Sequence, residues 1–399
     1  MLVPVRLFLL PFLGLALAGQ VLEGPLVLST PNAVLKDAVV VGRKEGSVLL
    51  LKAPGIRLEN VRVEGVGEKD DFFEPDAALW MEGCHGCQVR GLEVQTPSAA
   101  LRIEASRDVR VEGVRARGEG RAPGILAYNT PRLLVRDSRL EGFLDGVYLE
   151  LAPEAQVLEN QVEGSFRYGL HLMFTYRARV EGNRLRANRA GSAVMHGAEN
   201  RVLRNVFEAQ RGPLASGLLV QGETGGEFAQ NVFRENTVGL FLLSSQGGLY
   251  RENLFLRNGF AILVQKDRSG ENRAEFLANR FLGNLYDLAV DDPNPRLAFR
   301  ENAFDRALPL DLDKDGRGDL PYLPATGFAL WVSRHPPLSL FAESPAVLLW
   351  QEAERLVPGL RLSLADPAPL PLGRPGGRPE VGMLALGLVF LGGALWWRR

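Results

Sequence analysis

Residues 157–162 read VLENQV, and the same shape returns as VEGNRL (180–185), VLRNVF (202–207), FAQNVF (228–233), YRENLF (250–255), FLANRF (276–281) and FRENAF (299–304). An apolar residue, two others, Asn, one other and an apolar residue recur each time. The repeated residues, Asn160, Asn183, Asn205, Asn231, Asn253, Asn279 and Asn302, stand 22 to 26 positions apart. A second Asn often follows five residues later, at Asn188, Asn236, Asn258 and Asn284. Upstream the frame continues without Asn through Leu92, Val114 and Ser138. A period of this length, built from short β-type runs with no helical periodicity between them, fits one coil of a parallel β-helix. Leucine-rich repeats share the period but need a Leu consensus and a helical arc, and neither is present. Asn side chains stacked coil on coil can hydrogen-bond along the solenoid axis, so the Asn column reads as structural. The expectation is an all-β, right-handed parallel β-helix of about ten coils over residues 19–305.

Each coil also carries a Gly-apolar-x-apolar strand: GVYLE, GLHLM, GSAVM, GLLVQ and GLFLL. Alternation sends Val147, Leu149, Leu170, Leu172 and Val194 inward. The outward column is then Tyr148 and Glu150, His171 and Met173, Ala193 and Met195, Leu219 and Gln221, Phe241 and Leu243. Neighbouring coils lie roughly 4.8 Å apart and alternate residues of one strand roughly 6.8 Å apart. Met173 and Met195 therefore stack, with His171 one outward position away. Two thioethers and an imidazole on a shallow outward patch suit Cu(I), which prefers soft donors to the carboxylates that Ca²⁺ and Mg²⁺ take. The bland alternative is that Met and His only cover a partner's surface, since Met is common at adaptable interfaces. The apolar strip Leu219, Phe241 and Leu243 reads as a docking face. Period 2 turns His196 to the other face.

The chain ends set the compartment. Arg6 precedes LFLLPFLGLALA and the pattern Ala16-Leu17-Ala18, a secretory signal over residues 1–18. Val381 to Trp397 is apolar and uncharged and is followed by Arg398 and Arg399, which reads as a transmembrane helix over 381–397 with the domain held outside the membrane. A net charge of −1, from 46 basic and 47 acidic residues, leaves no footprint for nucleic acid. Two Cys cannot hold a fold of this size; Cys84 and Cys87, in GCHGC, could bind a metal or oxidise.

After the coils, DLDKDGRGDLPY places Asp311, Asp313, Asp315 and Asp319 at the spacing of a calcium loop, with Gly316 for the sharp turn. Tyr322 stands where an EF-hand has its bidentate Glu, so a structural Ca²⁺ turn is expected rather than a sensor; a metal-free acidic turn is the alternative. Ser344 and Pro345 open one amphipathic helix that Pro358 ends, and residues 306–365 are expected to cap the open end of the solenoid. Residues 366–380, rich in Pro and Gly, read as a linker.

The strand GLHLMF, the strand AVMHG one coil later, DLDKDGRGDLPY, RHPPLSLFAESPA and a final Asp-Pro-x-Pro-Leu resemble the NosD family over most of residues 24 to 370. Those proteins are periplasmic β-helix maturation factors for nitrous oxide reductase. The resemblance implies work with an ABC transporter, its membrane subunit and its ATPase, and with a copper-chaperone lipoprotein, to load copper into the reductase. It carries over His171, Met173 and Met195 as copper ligands or contacts. His196 stands where the family more often has an aromatic residue. The N-terminal coils look short for the family, and a C-terminal anchor is unusual in it. A carbohydrate-active β-helix enzyme, a polysaccharide lyase or hydrolase, is the rival reading. It would need paired carboxylates, or a Lys or Arg base beside Ca²⁺, in a groove. The outward column offers Glu82, Glu104 and Glu150 with Arg102 and Tyr128 interposed, and no adjacent-coil carboxylate pair is expected. A passive adhesion solenoid is a third reading, against which the His-Met-Met patch argues. On balance no enzyme is expected.

Overall fold

The computed structural model describes residues 19–267, 270–308, 310–356 and 364–372. The segment 1–18 and the apolar segment 381–397 lie outside the described residues; among those described, no helix is long and apolar enough to cross a membrane.

Two all-parallel sheets wind along the solenoid, one of twelve strands and one of 22. Each coil gives one strand to the smaller sheet, from Leu26–Leu28 to Tyr286–Asp291, so the parallel β-solenoid has twelve coils rather than about ten. The additional coils are N-terminal, where Leu26, Leu49 and Leu79 pair in register without any Asn to mark the repeat. The excursion 65–76 also lengthens the third coil and breaks the period.

Inside, the Asn column is a saturated hydrogen-bond ladder. The Asn183 amide donates to the Val157 carbonyl (2.8 Å) and to Asn205 Oδ1 (2.9 Å), while its own Oδ1 accepts from the Asn160 backbone N–H (2.9 Å) and side-chain amide (3.0 Å). Every donor and acceptor of the buried amide is used, which removes the penalty of placing it in the core. A second column runs Ser165, Asn188, Gln210, Asn236, Asn258, Asn284, with Gln210 filling the rung that lacks Asn. A third, not evident in the repeat, starts at the Ala178 N–H and runs through Asn200 to Glu223, then restarts from Ser245 through Asn272 to Asp292. The last residue of each of the five later Asn motifs builds an aromatic stack, Phe207, Phe233, Phe255, Phe281 and Phe304, with ring centroids 4.6 to 4.9 Å apart. Each such pair adds roughly 0.5–1.5 kcal/mol beyond its buried area.

The C-terminal end is closed differently from the expected helical cap. Tyr322 continues the ring stack on Phe304 (4.3 Å), and Asp366 takes the next rung of the ladder, accepting from the Asn302 backbone and side-chain N–H (2.9 and 2.8 Å). Asp366 is fully buried, so the stretch read as a linker begins inside the fold. Its tail is pinned as Leu370 N–H donates to Asn302 O (2.9 Å).

The helices lie on the side of the solenoid instead. The first, α1 (Gly327–Arg334), is capped by the Thr326 hydroxyl, which accepts from Ala329 N–H (3.2 Å), and buries Phe328, Ala329 and Val332. It packs over the strand Tyr286–Asp291. The second, α2 (Pro345–Leu356), opens at Ser344–Pro345 as expected, and Pro358, expected to end it, lies outside the described residues. Its Glu354 carboxylate accepts from Gly327 N–H (3.0 Å) at the positive end of α1, and Trp350 Nε1–H donates to the same carboxylate (2.7 Å).

Candidate metal centre on the outward face

Strands Tyr168–Met173 and Ala190–Met195 are adjacent, and their register pairs Met173 with Met195 and His171 with Ala193. Leu170, Leu172 and Val194 point into the core and have no exposed surface. His171, Met173 and Met195 thus share the outward face, with the two thioethers at the same height on neighbouring coils. The patch is nevertheless not shallow: His171 is 5% and Met195 8% exposed, and Met173 is half-buried.

Two causes cover His171. Tyr148, its partner one coil earlier, stands edge-on to the imidazole with centroids 4.9 Å apart, and Tyr168 flanks it at 4.6 Å. The excursion 65–76 then crosses the same face. Phe72 packs edge-on against Tyr148 (4.9 Å) and the Arg167 guanidinium lies 4.5 Å from the Phe72 ring centre. The loop is tied down by Asp71 accepting from Phe73 and Glu74 N–H (3.0 and 2.9 Å) and by the Arg121–Asp70 pair (2.9 Å).

Beneath these rings sits Asp145, fully buried and absent from the residues singled out by pattern. It accepts from Arg167 Nε (2.8 Å) and Nη2 (2.5 Å) and from Tyr168 N–H (3.2 Å), and its Oδ2 lies 3.0 Å from His171 Nδ1. Burial pushes its pKa up, but the Arg167 and His171 contacts outweigh burial and hold the carboxyl below its ordinary range. Burial and the short bond to Glu150 push the Tyr148 phenol well up. Strict alternation would send Asp145 inward with Val147. At Gly146 a Cβ would lie 2.3 Å from the core atom Val162 Cγ1 and 2.6 Å from Gly169 O, so this position faces inward as Val147 does, alternation is interrupted, and Asp145 is left on the outer side beside His171. The remaining ring nitrogen, His171 Nε2, is buried and has no hydrogen-bond partner among the described residues. A carboxylate on one imidazole nitrogen, an unpaired second nitrogen and two thioethers form a donor set that fits a soft monovalent metal.

The apolar strip is not an open docking face. Phe241 and Leu219 pack, with Leu263 and Ala289, against Phe328, Ala329 and Val332 of α1. Leu243, at the end of its strand, is half-buried. His196 stacks on Phe174 (5.6 Å), with its backbone in the left-handed region.

At the C-terminal turn, carboxylate oxygens of Asp311, Asp313 and Asp315 lie within 4.8 Å of one another. Gly316, at φ 91°, supplies the turn. Asp319 does not join them; its carboxylate accepts from Leu312 N–H within the loop. Cys84 and Cys87 form a buried disulfide, which decides between the two chemistries their spacing allowed.

A carboxylate pair on adjacent coils does exist, against expectation: Glu82 and Glu104 are register partners. Each is held by a cation, Glu82 by Lys52 (3.2 Å) and Glu104 by Arg102 (2.9 Å), and Trp80 Nε1–H donates to Glu104 (3.1 Å). Tyr128 stands in register between Glu104 and Glu150.

Among solved structures, the chain is similar in fold to a single-substitution mutant of the periplasmic alginate epimerase AlgG, at a TM-score of 0.60 and 12% identity, covering 71% of this chain and 78% of that one. A double mutant of the same epimerase aligns at a TM-score of 0.50 and 12% identity over 71% of this chain and 76% of that one. No curated protein matches. The profile of the family described as periplasmic copper-binding protein (NosD) matches residues 121–304, the coils that carry Asp145, His171, Met173 and Met195, and over that stretch the chain is similar to the NosD family.

Proposed function

We propose that this solenoid handles Cu(I) outside the cytoplasm during maturation of nitrous oxide reductase, receiving the ion at His171, Met173 and Met195 and passing it on. The observation that supports this most is the in-register Met173–Met195 pair beside an imidazole whose Nε2 is buried and unpaired. Copper is cargo here. Three soft donors leave a coordination position for a donor or acceptor protein to supply. The partners follow from the family resemblance: an ABC transporter's membrane subunit and ATPase, a copper-chaperone lipoprotein and the reductase. Residues 1–18 would export the chain and 381–397 would hold it at the membrane. Ca²⁺ at Asp311, Asp313 and Asp315 would be structural.

The deciding experiment expresses Met173→Ala with Met195→Ala in denitrifying cells and measures copper in the isolated reductase. Loss of reductase copper, with the variant still folded and exported, is expected; fully loaded reductase refutes the site. The Glu82–Glu104 register and the solenoid shared with an alginate epimerase favour a second reading, a carbohydrate-active enzyme. Turnover of an acidic polysaccharide that Glu104→Gln abolishes would establish it.

A further inference from the structure

We propose that Asp145 is the positioning residue of the copper site, fixing His171 so that Nε2 alone is its ligand atom. This rests on the copper reading and adds a group that no motif in the chain marks. Its carboxylate occupies Nδ1 at 3.0 Å, so a neutral imidazole there donates Nδ1–H and keeps its lone pair on Nε2. The opposite tautomer would set a lone pair against a buried carboxylate and leave Nε2–H without an acceptor. Ring rotation is restricted as well, since Tyr148 and Tyr168 flank the imidazole at 4.9 and 4.6 Å.

Arg167 completes the device. Its two-pronged bond, Nε to Oδ1 at 2.8 Å and Nη2 to Oδ2 at 2.5 Å, fixes the plane of the Asp145 carboxylate, so Oδ2 is held in place as the acceptor for Nδ1–H. The guanidinium is itself held between the Phe72 and Tyr168 rings, 4.5 and 5.4 Å from their centres. Metal-binding imidazoles commonly rely on such an outer carboxylate, whose removal weakens the metal roughly 10- to 100-fold.

The test uses the full chain. Its four histidines, labelled with ¹⁵N and assigned by loss of one signal in His171→Ala, report the His171 tautomer without any change near the site. The Nδ1–H form is expected in the metal-free protein, with one equivalent of Cu(I) shifting the Nε2 signal; an Nε2–H form, or a shift confined to Nδ1, overturns the proposal. In parallel, competition with a chromophoric Cu(I) chelator gives the Kd of wild type and Asp145→Asn. Weakening by roughly 10- to 100-fold supports the positioning role. An unchanged Kd in a folded Asp145→Asn overturns this inference alone, whereas no Cu(I) binding by wild type overturns the copper reading and this inference together. Should Asp145→Asn not fold, the wild-type tautomer still decides.

Discussion

Glu223 offers a quantitative test of how the solenoid tolerates charge in its interior. It is 1% exposed and ends a rung column, with Oε1 accepting from the Asn200 backbone N–H (3.0 Å) and Oε2 from the Asn200 amide (2.9 Å). Burial pushes its pKa from the ordinary 4.5 up to about 7, against the opposing pull of those two hydrogen bonds. Because the folded-state value is raised, the fold prefers the protonated acid. Its contribution is fully present below the unfolded value near 4.5 and is lost as pH rises through about 7. A shift of that size corresponds to about 3 kcal/mol between the two limits. Glu223→Gln removes the titration while keeping an acceptor for Asn200, as Gln210 does for the Asn188 N–H (2.6 Å) in the neighbouring column. Urea unfolding of both proteins at pH 5 and pH 8 measures the effect, since other titrating groups cancel in the difference. The variant should gain on wild type between the two pH values by up to about 3 kcal/mol. A difference that stays constant within about 0.5 kcal/mol refutes the reasoning.

Asn205→Ala would strip a donor from Val180 O (2.9 Å) and an acceptor from the Asn183 backbone N–H (2.9 Å) and amide (2.9 Å); a cost of about 3–5 kcal/mol in urea unfolding is expected, and less than about 1 would contradict the saturated ladder. Met195→Ala should cost about 2 kcal/mol or more, as a largely buried side chain does, and a negligible loss would return Met195 to the surface. Added Ca²⁺ should raise the Tm of the metal-stripped protein and Asp313→Ala should abolish the rise; an unchanged Tm makes the Asp311–Asp315 cluster an acidic turn only.

The repeat was legible because a solenoid writes the same contacts once per coil. Asn160 through Asn302 and the phase that puts Met173 beside Met195 could be read from spacing alone. What could not be read depends on contacts that do not recur. Asp145 escapes because alternation breaks for one residue at Gly146. Phe72 reaches Tyr148 from a loop inserted three coils earlier in the sheet order, and α1, only eight residues long, folds back over Phe241. The pairing of Glu82 with Glu104 was within reach, since strands 77–82 and 99–104 follow the same period without Asn to flag it.

The ladders also have a direction. In the Asn160–Asn302 column each side-chain amide gives one proton to the next rung and the other to a carbonyl of the coil before, as Asn183 does, so the column is a string of aligned amide dipoles with a donor end and an acceptor end. Its last member has something to receive and nothing further along to give to. An amide there would strand an N–H, and a carboxylate would not. Asp366 stands at that point for the Asn160–Asn302 column, and Glu223 and Asp292 close the two parts of the third. An acid within such a column therefore works as punctuation. By the same logic, spontaneous deamidation of an interior rung such as Asn231 would write a full stop in mid-sentence, and a designer lengthening the solenoid must insert new coils ahead of Asp366, never after it.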